Sequence, residues 1–226
     1  MIYGNYEDLF NRLDKCSLLD DNCNIDSIIQ DNFDNIKPMN KLYIEMDCNQ
    51  ILIDKDSSKL LCNRSEEKLG TNGKNNRIII SNSSNRITAN GDFNEIIARG
   101  HCHRIATNGS GNHIATIGNK NDIVTSGSFS KVTTNGEFCK IAMIGSDSQV
   151  AANNKHSIIV NIGMDGMAKG IKGTWITLAE YGYDRETREY LPICIRSFKV
   201  DGKKIKENTF YKLKNKRLVQ VKNKEE

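Results

Sequence analysis

The chain has 226 residues, of which 38% are apolar, with only two prolines and seven residues each of tyrosine and phenylalanine. This composition excludes a large conventional core, and no apolar stretch reaches the roughly 20 residues of a membrane-spanning helix. The net charge of +4 is unevenly distributed: residues 1–50 carry ten acidic and four basic side chains (−6), residues 51–167 carry ten and thirteen (+3), and residues 168–226 carry eight and fifteen (+7).

The seven cysteines are odd in number and irregularly spaced: Cys16, Cys23, Cys48, Cys62, Cys102, Cys139 and Cys194. The opening residues MIYGNYEDLF lack the basic-then-apolar pattern of an export signal. We therefore expect reduced thiols and a soluble, cytoplasmic protein that does not bind membranes.

The first part of the chain predicts a small α/β cap over residues 1–58. Apolar residues fall at helical spacing over 6–14 and again over 26–36. The segments KLYIEMD (41–47) and QILID (50–54) have the composition of two strands. From residue 59 to 75, Leu60, Leu69 and Gly73 already follow the pattern of the repeats described next, which predicts one or two irregular coils before the regular ones.

Ten consecutive nine-residue units occupy residues 76–165: NRIIISNSS, NRITANGDF, NEIIARGHC, HRIATNGSG, NHIATIGNK, NDIVTSGSF, SKVTTNGEF, CKIAMIGSD, SQVAANNKH and SIIVNIGMD. The third place is always Ile or Val: Ile78, Ile87, Ile96, Ile105, Ile114, Ile123, Val132, Ile141, Val150 and Ile159. The seventh place is Gly or Asn: Asn82, Gly91, Gly100, Gly109, Gly118, Gly127, Gly136, Gly145, Asn154 and Gly163. A short fixed period with one buried-type and one turn-type residue is typical of a solenoid.

Each unit is interpreted as a short strand followed by a tight corner. A β-branched residue suits a pleated strand, and the third and fifth places share one strand face, so both point inward. Gly and Asn tolerate a positive φ, which suits the seventh place for the corner. The pattern predicts a mainly β fold with a parallel β-solenoid over residues 59–166. We expect two units per coil, and three per coil remains the alternative.

After Gly163 the period ends, and residues 167–226 are predicted to form an all-β C-terminal domain that covers the last coil. GTWITLAEY and ICIRSFKV are predicted strands, and Trp175 is interpreted as a core anchor. Asp201-Gly202 is a typical hairpin turn, which would make KKIK a strand. NTFYKL and RLVQV are predicted to form a further hairpin across residues 214–216.

The run AKG, WITLAEY, PICIRSFKVDGKKIK, NTFYKL and LVQV between residues 168 and 221 resembles the tail of uncharacterised phage and prophage proteins from low-GC anaerobes. In those proteins the tail likewise follows nine-residue repeats of the ATxG type. The resemblance covers residues 76 to 221 and implies a fold and a phage context, without a substrate or a catalytic residue. Phages of such hosts encode inhibitors of bacterial defence nucleases, including anti-CRISPR proteins.

No motif in the chain predicts a cofactor, a metal site or a catalytic site. His101-Cys102-His103 falls across a corner between two units, with Lys120 eighteen residues on, which is a poor neighbour for a cation. The units contain no recurring Asp and only one recurring Gly position, unlike calcium-binding nonapeptides. A Gly-rich phosphate loop with its Lys-Ser/Thr ending is also missing from the sequence.

Outward charge predicts partner binding instead. With eighteen residues per coil, the second places of one side stack Arg86, Arg104, Asp122 and Lys140, so that two arginines lie on adjacent rungs. The structural explanation is that Asp122 and solvent relieve their repulsion, and the functional explanation is an anionic partner. The candidate partner-binding residues are Arg86, Arg104, Lys140, Lys203, Lys204, Lys206, Lys212 and Lys214, together with the acidic Asp20, Asp21, Asp31 and Asp34.

We therefore expect a non-enzymatic, phage-derived protein that docks on a host protein or ribonucleoprotein in the bacterial cytoplasm, as an inhibitor of a defence nuclease would. Weak nucleic-acid contact and homo-oligomer formation are further expectations. The alternative is a structural virion component such as a trimeric tail-associated β-helix spike.

Overall fold

A computed structural model describes residues 50–54 and 56–221, and its regular elements within these residues are eighteen β-strands. The helices predicted at 6–14 and 26–36, and the strand predicted at 41–47, lie outside the described residues. The strand predicted at 50–54 is confirmed as β1 (Gln50–Asp54).

The strands form two sheets of nine. Sheet I contains, in spatial order, β1, β3 (Lys68–Asn72), β5 (Arg86–Asn90), β7 (Arg104–Asn108), β9 (Asp122–Ser126), β11 (Lys140–Met143), β13 (Ile158–Asn161), β15 (Trp175–Tyr183) and β16 (Tyr190–Lys199). Sheet II contains β2 (Lys59–Cys62), β4 (Arg77–Ile80), β6 (Glu95–Arg99), β8 (His113–Ile117), β10 (Lys131–Asn135), β12 (Gln149–Ala152), β14 (Met167–Gly170), β17 (Tyr211–Lys214) and β18 (Arg217–Gln220), also in spatial order.

From β1 to β13 every strand pairs in parallel with the strand eighteen residues further on, apart from the step from β13 to β15, which is seventeen residues. Ile78 pairs with Ile96 and Ile96 with Ile114, and Ile159 pairs with Ile176. The predicted β-solenoid with two units per coil is confirmed, and β1 to β14 make seven coils of two strands each. Parallel stacking begins at Gln50 and continues to Leu178, so the solenoid is longer than the predicted range 59–166.

The core is a flat double column between the two sheets. In β7, Ile105 and Thr107 are buried while Arg104, Ala106 and Asn108 are exposed, as expected for alternation along a strand. The same third and fifth places are buried throughout the stack, which confirms the predicted inward positions. Stacking is necessary because burying one aliphatic side chain stabilises a unit by only about 1.5–3 kcal/mol, well below the entropy lost on ordering nine residues.

Seventh-place glycines occupy the first half of each corner. Gly91, Gly109 and Gly127 have φ values of 111°, 113° and 109°, whereas Gly136, Gly145 and Gly163 lie outside the left-handed range. Lack of room for a Cβ restricts the seventh place to glycine more generally than φ does, because the backbone there lies against the seventh place of the preceding coil. A Cβ on Gly127 would lie 2.5 Å from the carbonyl carbon of Gly109.

The ninth place has a positive φ that the sequence did not predict. Phe93, Phe129 and Phe138 have φ values of 58°, 60° and 58°, which is unusual for bulky side chains. The N–H of the ninth residue donates to an eighth-place carbonyl of the next coil, for example from Phe93 to Ser110 at 2.9 Å. The hydrogen bonds between coils thus hold the ninth place in this conformation whatever its residue type.

Buried first-place asparagines fasten corners of neighbouring coils to each other. The Oδ1 of Asn94 accepts from the N–H of Asn76 at 2.9 Å, and its Nδ2 donates to the carbonyl of Gly91 at 2.8 Å. Asn112 repeats this arrangement one coil later with the N–H of Asn94 and the carbonyl of Gly109. One side chain therefore satisfies two backbone groups that the corner would leave buried without partners.

The C-terminal strands cover the last coil, as expected, but two details differ from the sequence prediction. Trp175 is 47% exposed because the inward places of β15 are taken by Ile176 and Leu178, so its assignment as a core anchor is wrong. KKIK is not a strand: Asp201 Oδ1 accepts from the N–H groups of Lys203 and Ile205 and folds the segment into a turn. The hairpin of β17 and β18 is confirmed.

Replacing Gly127 with Ala should destabilise the fold severely, because the new methyl group would meet the Gly109 backbone and φ would remain unfavourable. We expect a loss of more than about 3 kcal/mol of unfolding free energy, measured by chemical denaturation. The matched control is Gly173→Ala, which has a φ of 97° but open space around the added Cβ. It should lose only about 1–2 kcal/mol, and equal losses in both variants would contradict the close-approach explanation.

Candidate partner-binding face

The outer face of sheet I carries a row of charged second-place side chains, which we call the basic ladder: Lys68, Arg86, Arg104, Asp122 and Lys140. The strands are in register, so Lys68 pairs with Arg86 and Arg86 with Arg104. Neighbouring rungs of a sheet are about 4.8 Å apart. Three cationic groups are therefore stacked on consecutive strands.

The ladder has unequal charge compensation along its length. Arg104 is in register with Asp122, but the Asp122 carboxylate contacts Lys140 Nζ, at 3.6 Å, on the other side. Among the described residues, no carboxylate lies within 4.0 Å of the guanidinium groups of Arg86 and Arg104. Asp122 therefore compensates the charge of Lys140 rather than that of Arg104, and both arginines are exposed to solvent.

From β3 to β11 the other outward places of this face are uncharged. Its middle row is small or aliphatic, with Thr88 and Ala106 exposed and Val124 53% exposed. Its far row is polar, and Asn90 Nδ2 donates to Asn72 Oδ1 at 3.0 Å on the adjacent strand. Such side-chain pairing between rungs keeps the far row in a fixed geometry, so that the face offers rigid groups to a partner.

The structure does not bring the other described candidates to this face. Lys203, Lys204 and Lys206 lie in the turn after β16, and Lys212 and Lys214 lie on β17 of sheet II. Lys212 contacts Asp165 at 3.7 Å, which reduces its availability. The acidic candidates Asp20, Asp21, Asp31 and Asp34 are outside the described residues. Among the candidates that the structure describes, Arg86, Arg104 and Lys140 lie together on the outer face of sheet I.

Exposed apolar residues extend the ladder beyond Lys140, and the sequence analysis did not include them. Ile158 is paired with Lys140 and with Trp175, and both Ile158 and Trp175 are about half exposed. Near the strand starts, the ring of Phe138 stacks on His156 at a centroid distance of 5.0 Å. The eighteen-residue spacing from Lys140 to Ile158 was the signal that would have shown this continuation.

The corner sequence His101-Cys102-His103 divides into two exposed residues and one buried one. His103 is completely buried at the first place of its unit, whereas His101 Nδ1 accepts from the N–H of Asn119 at 2.9 Å. Within 50–54 and 56–221, no three His, Cys, Asp or Glu side chains are grouped as a metal site would require.

No protein-family model matches the chain, and searches of curated proteins and of solved structures give no match. Among the described residues there is also no helix whose length and apolar character would allow it to cross a membrane.

His103 should be a weak point of the fold because it replaces the Asn that fastens the neighbouring corners. Neither of its ring nitrogens has a hydrogen-bond partner among the described residues, and burial lowers the pKa of the imidazole below 6.5. The unfolded chain therefore binds a proton more readily than the folded one. Stability should fall as the pH drops below about 6.5.

Substitution His103→Asn should raise the unfolding free energy by about 1–2 kcal/mol at pH 7.5, by restoring two hydrogen bonds, and should reduce the loss at pH 5.5. Thermal unfolding at both pH values measures the effect. His101→Asn is the control, since His101 is exposed and Asn can still accept from Asn119. Unchanged pH dependence in His103→Asn would contradict this explanation.

Proposed function

We propose that this protein is a non-enzymatic binding protein whose sheet I face docks on an acidic surface of a host protein. The observation that carries the proposal is the pair Arg86 and Arg104, exposed on adjacent strands without a carboxylate partner among the described residues. Keeping two guanidinium groups this close is unfavourable in the free protein. An acidic partner would remove this repulsion and gain charge-assisted hydrogen bonds.

The shape of the face supports a protein partner more than a nucleic acid. The cations are limited to one edge, beside small and aliphatic side chains such as Ala106 and Val124, which suit close packing against another protein. From β3 to β11, where the basic ladder lies, no outward strand position is aromatic, so the ladder has no adjacent ring on its strands that would stack on a base. The rigid stacked strands would lose little entropy on binding.

The phage resemblance of residues 76 to 221 gives the proposal its specific form: inhibition of a bacterial defence nuclease, of the anti-CRISPR kind, in the host cytoplasm. A trimeric tail spike is the competing role. Lateral packing of three copies through sheet I would bring the same arginines together around one axis, which like-charge repulsion disfavours. A monomer or dimer by native mass measurement is therefore expected, and a stable trimer would favour the spike.

Charge reversal on the ladder should abolish partner capture. We expect Arg86→Glu/Arg104→Glu to retain less than a tenth of the host protein that the unaltered chain captures from a lysate of a low-GC anaerobic bacterium. The retained proteins are identified and quantified by mass spectrometry. Capture should survive nuclease treatment, because the acidic groups of the partner belong to a protein, and it should weaken as added salt screens the arginines.

The matched control is Lys203→Glu/Lys204→Glu, which changes the net charge by the same amount at the C-terminal turn. It should capture the same protein at an undiminished level. If both double variants lose capture equally, net charge rather than the ladder is responsible. If nuclease treatment removes the captured material, the partner is a nucleic acid and the proposal fails.

A further inference from the structure

Threonine occupies the inward fifth place of four successive strands in the middle of the solenoid. The residues are Thr107, Thr116, Thr125 and Thr134, on β7 to β10. Each residue is buried between the two sheets, with at most 5% of its surface exposed. None of the four hydroxyl oxygens has a hydrogen-bond partner among the described residues. A buried hydroxyl without a partner is unfavourable, because it has lost its hydrogen bonds to solvent.

The repeat indicates that these hydroxyls are not present merely to fill space. Val has the shape of Thr without its hydroxyl, and it occupies the inward third place of two units as Val132 and Val150. From β4 to β14 it occupies no fifth place, although it would fill that place without burying a polar atom. Four consecutive threonines there favour a polar partner for the hydroxyls.

The threonines form two pairs along the stack. Thr107 is in register with Thr125 on sheet I, and Thr116 is in register with Thr134 on sheet II. Equivalent atoms on neighbouring strands are about 4.8 Å apart, which exceeds the roughly 2.7 Å of a direct hydrogen bond between hydroxyls. One water molecule between the two hydroxyls of a pair would lie about 2.8 Å from each of them. It would therefore satisfy both.

Small side chains adjoin both pairs and leave room beside the hydroxyls. The strand before Thr107 carries Ala89 in register with it, and the strand before Thr116 carries Ala98. A buried water needs polar partners as well as room, since a purely apolar cavity stays dry. The threonine pairs supply the polar partners, and the alanines supply part of the room.

Thr134 also lies near the buried thiol of Cys139. Burial raises the pKa of this thiol, and the Thr134 hydroxyl opposes the rise. A thiol is only a weak donor and acceptor, so it does not replace a water molecule as the partner of Thr134.

We infer that the interior of the solenoid binds two ordered water molecules, one bridging Thr107 and Thr125 and one bridging Thr116 and Thr134. The hydroxyls rotate so that each can donate to its water or accept from it. The two sites belong to different sheets, so each can be removed separately by substitution. They lie inside the core and are independent of the proposed function, which concerns the outer face of sheet I.

Oxygen-17 relaxation dispersion tests the inference, because it counts the water molecules that stay inside a protein for longer than its rotational correlation time. Thr107→Val/Thr125→Val should lower the count by one, and so should Thr116→Val/Thr134→Val, since each double variant removes one pair of hydroxyls. All four substitutions together should lower the count by two. An unchanged count in the fourfold variant would overturn the inference.

The matched control is Thr107→Ser/Thr125→Ser, which keeps both hydroxyls and should not lower the count. An equal loss in this control would contradict the inference, because the hydroxyls would then not hold the water. Thr88→Val, at an exposed outward place of sheet I, should leave the count unchanged. Far-UV circular dichroism checks that each variant is folded. If a valine variant does not fold, a crystal structure of the unaltered protein decides: ordered water between the hydroxyls of both pairs supports the inference, and its absence at either pair overturns it.

Discussion

The whole structure depends on the close approach of one corner backbone to the corner of the next coil. At the seventh place the two chains come so near that a single Cβ would meet a carbonyl group, as at Gly127 against Gly109. This contact keeps the coils in an eighteen-residue register, and the register in turn aligns the Ile and Val side chains into one column. The first-place amides then satisfy the backbone groups that the corner turns away from the strands. The packing of the core, the pairing of buried backbone groups and the shape of the solenoid thus follow from this contact at the corner.

The same register also determines the surface. Because equivalent places stack at about 4.8 Å, any charge that recurs every eighteen residues becomes a line of charge. Lys68, Arg86 and Arg104 form such a line on sheet I. On sheet II, small or aliphatic residues such as Ile79, Ile97 and Ala115 recur at the fourth place instead. One architecture thereby gives its two faces different lines of side chains.

The sequence predicted the solenoid, its two strands per coil and its inward places, since the period and the Ile/Val column leave few alternatives. It also placed Arg86 beside Arg104, because stacking positions follow from arithmetic alone. It did not predict the positive φ of the ninth place, where residues as different as Phe93 and Cys102 are held by hydrogen bonds between coils. Periodicity also failed to predict the exposure of Trp175. Its burial depends on which residue of β15 continues the Ile column after the repeat ends, and that residue is Ile176.

The antiparallel turn at the end of the stack has a consequence for self-assembly. A parallel coil that simply stopped would present an edge matching the first coil of another molecule, and copies could add end to end into a fibre. Here β16 runs back along β15, and Pro192 removes one backbone donor from the outermost strand. The reversed direction and the missing N–H make this edge a poor template for a further coil. Termination of the solenoid therefore also limits its polymerisation.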